Sequence, residues 1–368
     1  MEATFLTAIH INKVRHLKDI DIPLSSDTRK NLILTGKNGS GKTSVLKELG
    51  YTLNFISGMT TYRKDDPPAV EVQRSTQNLH HKFLSGEFIL ARFWDTRNTK
   101  VDVPNSIEKV DFRSFYGIDE SPVKELMCYM VHLKAIQAFS RNESNHQRTE
   151  EIGKWFQRFE NILRIIYDDT SLKLVFDYEN LRFTLELTDR EPFDFNTMSM
   201  GYAAVFSIIS DLIMRMESQH RYDLEGVVLI DEIETHLHVE LQKKIVPILT
   251  ELFPNIQFIM TTHSPFVLNS APNTVIYDLE KHILVEDGLT NLPYEGIVEG
   301  YFGADRMSQE LRGKFERYKT LVGKAELTDE EFAETAELET YLDEVPDYLA
   351  LEFSAEYSRL KLEFANRG

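Results

Sequence analysis

The stretch that decides the fold reads Gly36-Lys37-Asn38-Gly39-Ser40-Gly41-Lys42-Thr43. It matches the phosphate-binding pattern G-x-x-x-x-G-K-[ST] at every fixed position. The apolar run at 31–34 predicts a buried strand before the loop, and residues 44–55 predict a helix after it. A glycine-rich turn that opens a helix attracts anions, because free backbone N–H groups and the helix dipole both face the ligand. The stretch therefore predicts a site for nucleotide phosphates, with a chance glycine-rich turn as the alternative.

Each part of this phosphate loop has an expected role. The three glycines allow the backbone to fold tightly around the phosphates. Lys42 is expected to reach the β- and γ-phosphates, and the Thr43 hydroxyl is expected to hold Mg²⁺. ATP and Mg²⁺ are therefore the predicted cofactors. The predicted nucleotide-binding residues are Gly36, Lys37, Asn38, Gly39, Ser40, Gly41, Lys42, Thr43 and Ser44.

An acidic pair, Asp231-Glu232, follows the continuous apolar run at 227–230. Such a run predicts a central parallel strand that is covered on both faces. Ligands of open α/β sheets bind at the carboxyl ends of the strands, so the pair should face the phosphate loop. We expect Asp231 to act as a metal ligand in the Mg²⁺ shell and Glu232 to act as the general base toward water. A solvated acidic turn is the alternative for the pair taken alone.

Two further segments complete the predicted site. The apolar run at 256–260 ends in a polar turn, where His263 can contact the γ-phosphate and sense its loss. Ser199 and Gly201 precede an apolar helix predicted at 203–216, and a Ser and a Gly that open a helix form another anion site. An ordinary helix N-cap is the alternative for Ser199, and a local turn contact is the alternative for His263.

The order of these motifs resembles the ABC-type ATPases of the SMC/Rad50/RecF class, over roughly residues 1–285. The segments 229–237 and 261–265 look most like the stand-alone AAA-15/AAA-21 group and the ATPase half of OLD nucleases. The resemblance implies a head that dimerises with two ATP molecules sandwiched between the subunits. By the same match Ser199 and Gly201 would act in trans, on the nucleotide that the partner's phosphate loop holds.

Two departures from the family pattern imply slow or partner-dependent hydrolysis. Met198 stands where the family has Leu before its signature Ser, and Tyr202 stands where it has Glu or Gln after the Gly. The family's Q-loop glutamine has one candidate here, Gln137, for which a plain helix-surface role is the alternative.

Composition limits the function classes. The chain has 368 residues, of which 42% are hydrophobic and 27% are charged, as in ordinary soluble globular proteins. Its apolar runs fall short of the ~20 residues of a membrane helix, and a signal pattern and disulfide pairing are not expected. We therefore predict a cytoplasmic protein that does not contact a membrane. The net charge of −18 argues against a broadly basic nucleic-acid surface, and DNA or RNA contact through a local patch stays open.

The predicted fold is α/β, with a mainly parallel central sheet, an antiparallel side sheet, a helical insertion and a helical C-terminal tail. The predicted domains are an ATPase head at 1–285, with its insertion at about 121–167, and a docking or oligomerisation region at 286–368.

Within the head, residues 5–24 predict two strands of the side sheet, and 87–116 is expected to complete it with strands at 88–93 and 100–103. Residues 62–75 are expected to form a loop.

The tail is expected to provide a contact surface. Thr328 and Glu331 have the spacing of a capping box, which predicts a helix from about residue 330. A second helix is predicted at 348–364, and its apolar face includes Tyr348, Leu349, Phe353 and Tyr357. A face of this size predicts contact with a partner or a second copy. Packing on this chain's own head, or a solvated tail, is the alternative.

The chain resembles the ATPases of bacterial anti-phage systems, such as Septu PtuA or retron-associated ATPases. Those ATPases work with a separately encoded nuclease, toxin or reverse transcriptase. The region after residue 280 lacks the D-x-D strand end of a nuclease domain and has no Cys/His cluster with zinc spacing, so a separate effector is expected. A homodimer or higher homo-oligomer is the expected assembly. A RecF-like DNA repair ATPase and a non-hydrolysing scaffold are the alternatives.

Overall fold

The protein is described by a computed structural model over residues 3–60, 68–96, 100–188, 190–290, 296–297, 309–324, 326–343 and 351–365. The chain divides into two compact units, residues 1–292 and 293–368. The predicted boundary at 285–286 lies shortly before this division. Among the described helices, none combines the length and the apolar character that crossing a membrane would need.

The first unit alternates strands and helices. Its strands are β1 (Leu6–Val14), β2 (Leu17–Pro23), β3 (Asn31–Thr35), β4 (Val70–Arg74), β5 (Phe88–Phe93), β6 (Lys173–Asp177), β7 (Arg182–Glu186), β8 (Glu225–Ile230), β9 (Ile256–Thr261), β10 (Thr274–Asp278) and β11 (Ile283–Val285). Its helices are α1 (Lys42–Ile56), α2 (Leu79–Leu84), α3 (Leu126–Asn142), α4 (His146–Tyr167), α5 (Met200–Glu217), α6 (Val239–Leu252) and α7 (Pro265–Asn269).

A six-stranded sheet with the order β11-β10-β3-β9-β8-β5 forms the centre of this unit. All neighbouring pairs from β10 to β5 are parallel, and β11 joins antiparallel at the edge. Strands β3 and β9 are buried along their whole length, as expected for a sheet that is covered on both faces. The predicted α/β fold with a mainly parallel sheet is therefore confirmed. Because β3, β8 and β9 are parallel neighbours, the segments that follow them meet at one edge.

The side sheet differs in part from its prediction. Strands β1 and β2 form the predicted antiparallel entry, and the third strand is β4, which lies in the stretch expected to be a loop. Strand β5, expected in the side sheet, instead pairs in parallel with β8 in the central sheet. Its sequence FILARF is almost wholly buried, which suits a strand between two layers rather than a half-exposed side sheet. Residues 100–103 form no strand.

A buried glutamine joins the two sheets. The Gln257 side chain on β9 accepts the backbone N–H of Leu6 at 2.7 Å and donates to the Leu6 carbonyl at 3.0 Å. It also donates to the Lys30 carbonyl at 2.7 Å. This one amide therefore satisfies three backbone groups, which would otherwise lose their partners on burial.

The predicted helical insertion is present as a short 3-10 turn, Pro122–Glu125, followed by α3 and α4. A buried carboxylate holds it to the end of α5. Glu217 accepts hydrogen bonds from the Tyr129 hydroxyl at 2.6 Å and from the Trp155 indole Nε1 at 2.5 Å. Burial raises the pKa of Glu217, and the two donors oppose that rise. The insertion is thus fixed to the head through hydrogen bonds to one buried acid.

Trp94 lies directly after β5, and its ring packs against the side chain of Arg92. The guanidinium of Arg92 lies 4.4 Å from the centre of the Trp94 ring. Arg92 also forms a bidentate pair with Asp119, at 2.8 and 2.7 Å. The end of β5 is also bonded to the acidic pair, because the Asp231 N–H donates to the Phe93 carbonyl at 2.8 Å.

The second unit contains three described helices, α8 (Gln309–Val322), α9 (Asp329–Asp343) and α10 (Leu351–Ala365). The predicted capping box before α9 is confirmed. The Glu331 N–H donates to the Thr328 hydroxyl at 3.3 Å, and the Thr328 N–H donates to the Glu331 carboxylate at 3.1 Å.

The three helices pack around their own small core. The core members are Phe315, Tyr318, Val322, Leu342 and Tyr357. Tyr357 is therefore buried in this core, so the expectation that it lies on an open contact face is wrong. Tyr348 and Leu349 lie outside the described residues, and Phe353 is described only in its backbone.

Candidate active site

The phosphate loop connects β3 to α1 with the backbone that the pattern requires. Gly36, Gly39 and Gly41 have φ angles of 128°, 85° and 103°, in the region that residues with a side chain rarely adopt. Gly41 is the residue before the first turn of α1, and that turn contains no acidic residue. The free N–H groups of the helix start therefore face the loop without a competing carboxylate on the helix itself.

The Lys42 ammonium is folded into the loop. It donates to the carbonyl oxygens of Gly36 at 2.9 Å and of Lys37 at 3.2 Å, and the residue is 5% exposed. Burial lowers the pKa of Lys42, and the acidic residues of the site, led by Glu232 and Glu234, oppose that shift. The ammonium is therefore surrounded by polar partners at the position where phosphate oxygens are expected.

The two predicted magnesium ligands lie next to each other. The Thr43 hydroxyl on α1 donates to Asp231 Oδ1 at 3.3 Å, which joins the phosphate loop to the end of β8. Asp231 is buried, with 2% of its surface exposed. A hydroxyl and a carboxylate are the hard oxygen donors that Mg²⁺ prefers, so the residues present fit this ion. Mg²⁺ in nucleotide sites usually takes its remaining ligands from water and phosphate.

Thr261, at the end of β9, holds both members of the acidic pair. Its hydroxyl donates to Asp231 Oδ1 at 2.6 Å and accepts the Glu232 N–H at 2.7 Å. Glu232 has a φ of +42°, a strained value for a residue with a side chain, so this bond fixes an unfavourable backbone. Sequence reasoning missed Thr261. Its position at a strand end beside the acidic strand is the only signal that could have indicated it.

His263 lies in the same site as the phosphate-loop lysine. Burial lowers the pKa of His263, the Lys42 charge lowers it further, and Glu234, Glu232 and Asp231 raise it. Its backbone N–H donates to Glu234 Oε1 at 2.5 Å, and the Thr262 hydroxyl donates to Glu234 Oε2 at 2.7 Å. Glu234 was also not singled out as a site residue from the sequence, because its role depends on a contact between two strand ends.

The signature-like residues sit elsewhere. Ser199 is the N-cap residue of α5 and has an extended backbone, and its side chain makes no capping hydrogen bond. Ser199 and Met200 are exposed, whereas Gly201 is buried. A Cβ at Gly201 would lie 2.8 Å from the carbonyl oxygen of His236, so this glycine allows close contact between α5 and the loop after the acidic pair. Among the described residues, no hydrogen bond joins Ser199 to the phosphate loop.

The contact that Gln137 makes is not the one expected of a Q-loop glutamine. Its side-chain amide donates to the Thr149 carbonyl at 3.3 Å, between α3 and α4. The plain helix contact, which was the alternative for this residue, is therefore the one the structure supports.

Part of the chain matches a known protein family. Residues 89–269 match the family described as "AAA domain, putative AbiEii toxin, Type IV TA system". This range includes the acidic pair, His263 and the start of α5. The phosphate loop lies before it.

Two similar proteins are named Septu protein PtuA. The one from Bacillus mycoides (strain KBAB4) is 32% identical over 355 residues, with 86% of this chain and 47% of that protein covered. The one from Bacillus thuringiensis is 25% identical, with 65% of this chain and 67% of that protein covered. The chain thus spans about half of the first relative's length and two thirds of the second's. The "Retron Ec83 probable ATPase" of Escherichia coli is 40% identical over 88 residues, covering 23% of this chain and 16% of that protein.

Solved structures of similar fold include an SMC head bound to the C-terminal winged-helix domain of ScpA, at 15% identity and a TM-score of 0.43. That alignment covers 74% of this chain and 93% of the other. Another is the Pyrococcus furiosus Smc head domain with an extended coiled coil, at 14% identity and a TM-score of 0.42, covering 81% and 100%. The complete phosphate loop, the acidic strand end beside it and the matched AAA domain lead to one conclusion. The chain has the α/β fold of a P-loop NTPase, and its residues 89–269 are similar to the AAA domain of that family.

Proposed function

We propose that this chain binds ATP with Mg²⁺ and hydrolyses it slowly to ADP and phosphate. The observation that carries the proposal is the Thr261 hydroxyl, which holds Asp231 and Glu232 beside Thr43 of the phosphate loop. One strand end therefore orients both a metal ligand and a base toward the place where phosphates would lie. Ordinary structural acids at a strand end do not need this shared support.

The roles of the residues follow from the chemistry of phosphoryl transfer. Lys42 exchanges its carbonyl partners for β- and γ-phosphate oxygens, and backbone N–H groups of residues 36–44 contact the phosphates. Thr43 and Asp231 would hold Mg²⁺, which would supply positive charge to the phosphate oxygens. A water oxygen bonds to the γ-phosphorus while the bond to the β–γ bridging oxygen breaks, and Glu232 takes the proton of the water. His263 contacts the γ-phosphate and senses its loss.

The second proposal is a dimeric head. The exposed Ser199, whose hydroxyl caps nothing in its own chain, supports a role toward the nucleotide of a second subunit. Its neighbour Gly201 is buried against its own chain, so Ser199 and the helix start, rather than the Gly201 surface, would meet the partner. Dimerisation would then complete each site and explain slow hydrolysis by the isolated chain.

The third proposal concerns the biological role. The similarity to Septu PtuA and to a retron ATPase supports an ATPase subunit of a bacterial anti-phage defence complex. Head dimerisation would control a separately encoded effector, and residues 293–368 would provide docking or oligomerisation contacts. A RecF-like repair ATPase and a non-hydrolysing scaffold are the competing functions.

The experiment that tests the enzymatic proposal replaces Glu232 with Gln. The amide cannot take a proton from water, so phosphate release should stop while ATP binding persists and a dimer accumulates. Glu240→Gln is the matched control, because Glu240 lies on the surface of α6, where it pairs with Lys243 at 3.0 Å. Wild-type phosphate release by Glu232→Gln would reject Glu232 as the base, and no hydrolysis by the wild type would favour the scaffold.

The defence role has its own test. Cells that carry the chain with its neighbouring genes should resist phage infection, and Glu232→Gln should abolish that resistance. A pull-down from the same cells should recover the effector. Strong stimulation of ATP hydrolysis by DNA, without phage resistance, would instead favour the repair function.

A further inference from the structure

Four consecutive residues, 261–264, bind the segment that follows β8 and reaches into α6. We call residues 261–264 the switch segment and residues 231–238 the acidic loop. Besides the Thr261 bonds, the Thr262 hydroxyl and the His263 N–H both donate to Glu234. The Ser264 hydroxyl donates to Gln242 Oε1 on α6 at 2.6 Å. Because each residue of the switch segment is bonded, the switch segment and the acidic loop are expected to move together.

The acidic loop is itself compact. The Thr235 N–H donates to the Glu232 carbonyl at 2.9 Å, and the Leu237 N–H donates to the Glu234 carbonyl at 2.9 Å. His236 has a φ of +67°, and its carbonyl faces Gly201 at the start of α5. The gap is too small for a Cβ, so a displacement of the α5 start presses directly on the loop backbone.

We propose that Glu234 is a positioning residue that couples the start of α5 to His263. The proposal rests on the proposed ATPase function, in which Ser199 meets a second subunit and His263 meets the γ-phosphate. Contact of a partner at Ser199 shifts the α5 start, and Gly201 passes this shift to the His236 carbonyl. Glu234 then passes it on, because both of its carboxylate oxygens are committed to the switch segment. Dimerisation thereby changes the position of His263 through the acidic loop and Glu234, without a direct contact between the partner and His263.

The coupling has a measurable signature without nucleotide. The His263 N–H is protected from hydrogen exchange by its bond to Glu234. In Glu234→Ala, exchange of this amide should become about tenfold faster, since a bond to a charged acceptor is lost. In Glu234→Gln the amide can still accept from His263 and donate to Thr262, so exchange should stay within about threefold of wild type. Glu240→Ala, a surface change on α6, should leave the exchange unchanged.

The other end of the coupling is tested with Gly201→Ala. The added Cβ must displace the His236 carbonyl, so exchange of His263 should become faster by about threefold or more. Gly313→Ala is the matched control, because a Cβ there meets nothing within 4 Å. Thermal unfolding of each variant identifies general destabilisation. A Gly201→Ala chain that unfolds like wild type and has unchanged exchange over 261–264 would overturn the coupling.

Turnover gives the second readout. Glu234→Ala should lower kcat by about tenfold and leave KM within about twofold, because ATP is held by the phosphate loop. Glu234→Gln should recover most of kcat. Equal exchange and equal kcat in wild type and Glu234→Ala would overturn the proposal. Absence of hydrolysis in the wild type would instead reject the ATPase function, and the exchange measurements, made without nucleotide, would still decide the coupling.

Discussion

Replacement of Thr261 with Val tests the central geometry of the site. Valine has nearly the shape of threonine, so the buried position stays filled while both hydroxyl bonds are lost. The Glu232 N–H then loses its acceptor at a residue whose φ is +42°. Asp231 keeps its contact with Thr43 and loses the shorter of the two bonds to Oδ1, the one of 2.6 Å.

The structure sets the size of the expected effects. A hydrogen bond to a charged group contributes about 1.5–3 kcal/mol, and a buried N–H without an acceptor costs about 1–3 kcal/mol. The two losses add, so the free energy of unfolding of the first unit should fall by about 2.5–6 kcal/mol, and its unfolding temperature should fall by about 5–24 °C. A base displaced by about 1 Å reacts about 100-fold more slowly, so kcat should fall by about two orders of magnitude. ATP affinity should change by less than about tenfold, because Lys42 and the loop are intact.

Three measurements check this prediction: phosphate release, ATP binding by titration calorimetry, and thermal unfolding of the full chain. Thr261→Ser keeps the hydroxyl and should retain most of the activity. Thr250→Val is the matched control for the loss of a hydroxyl, because the Thr250 hydroxyl donates to the carbonyls of Val246 and Pro247 within its own helix, α6. Wild-type kcat in Thr261→Val would refute the argument that this hydroxyl orients the acidic pair.

Lys42→Ala should abolish ATP binding, because the phosphates lose the ammonium of the loop; near-wild-type affinity by calorimetry would remove the site assignment. Ser199→Arg and Lys42→Ala chains, each inactive alone, should regain partial hydrolysis when mixed; no recovery in mixed dimers verified by mass would argue against action in trans. Gln257→Leu should lower the free energy of unfolding by about 2–4 kcal/mol, because buried backbone groups of Leu6 and Lys30 lose their partner; an unchanged urea midpoint would count against it. A chain that ends before residue 293 should still fold and bind ATP, since the first unit has its own core; loss of binding would make the second unit part of that fold.

The parts of the site that could be predicted are those formed by a continuous stretch of sequence. The phosphate loop, the acidic pair after an apolar run and His263 after the next run each follow one strand, so local pattern locates them. Thr261 and Glu234 could not be found this way. Their roles arise because β8 and β9 are neighbours in the sheet, and strand order is a property of the whole fold.

The errors in the fold have a similar cause. Strand β4 is short, follows a polar stretch and pairs with β1, which is distant in sequence. The run at 88–93 was correctly predicted as a strand, but it was assigned to the side sheet instead of the central sheet. An apolar strand does not reveal its partner, and its almost complete burial indicates the central sheet only once the structure is known. The tail residue Tyr357 was expected on an open face, since apolar spacing does not distinguish a small core from a docking surface.

The two tryptophans of the chain provide fluorescent probes for the proposed binding of ATP. Trp94 stacks on Arg92, one residue beyond the Phe93 carbonyl that accepts the backbone N–H of Asp231, the proposed metal ligand. Trp155 donates its indole N–H to Glu217 in the helical insertion. Fluorescence of a Trp155→Phe chain would report on the end of β5 beside Asp231, and that of a Trp94→Phe chain would report on the insertion. Stopped-flow recordings of the two could time the arrival of ATP separately from any response of the insertion, without an attached dye.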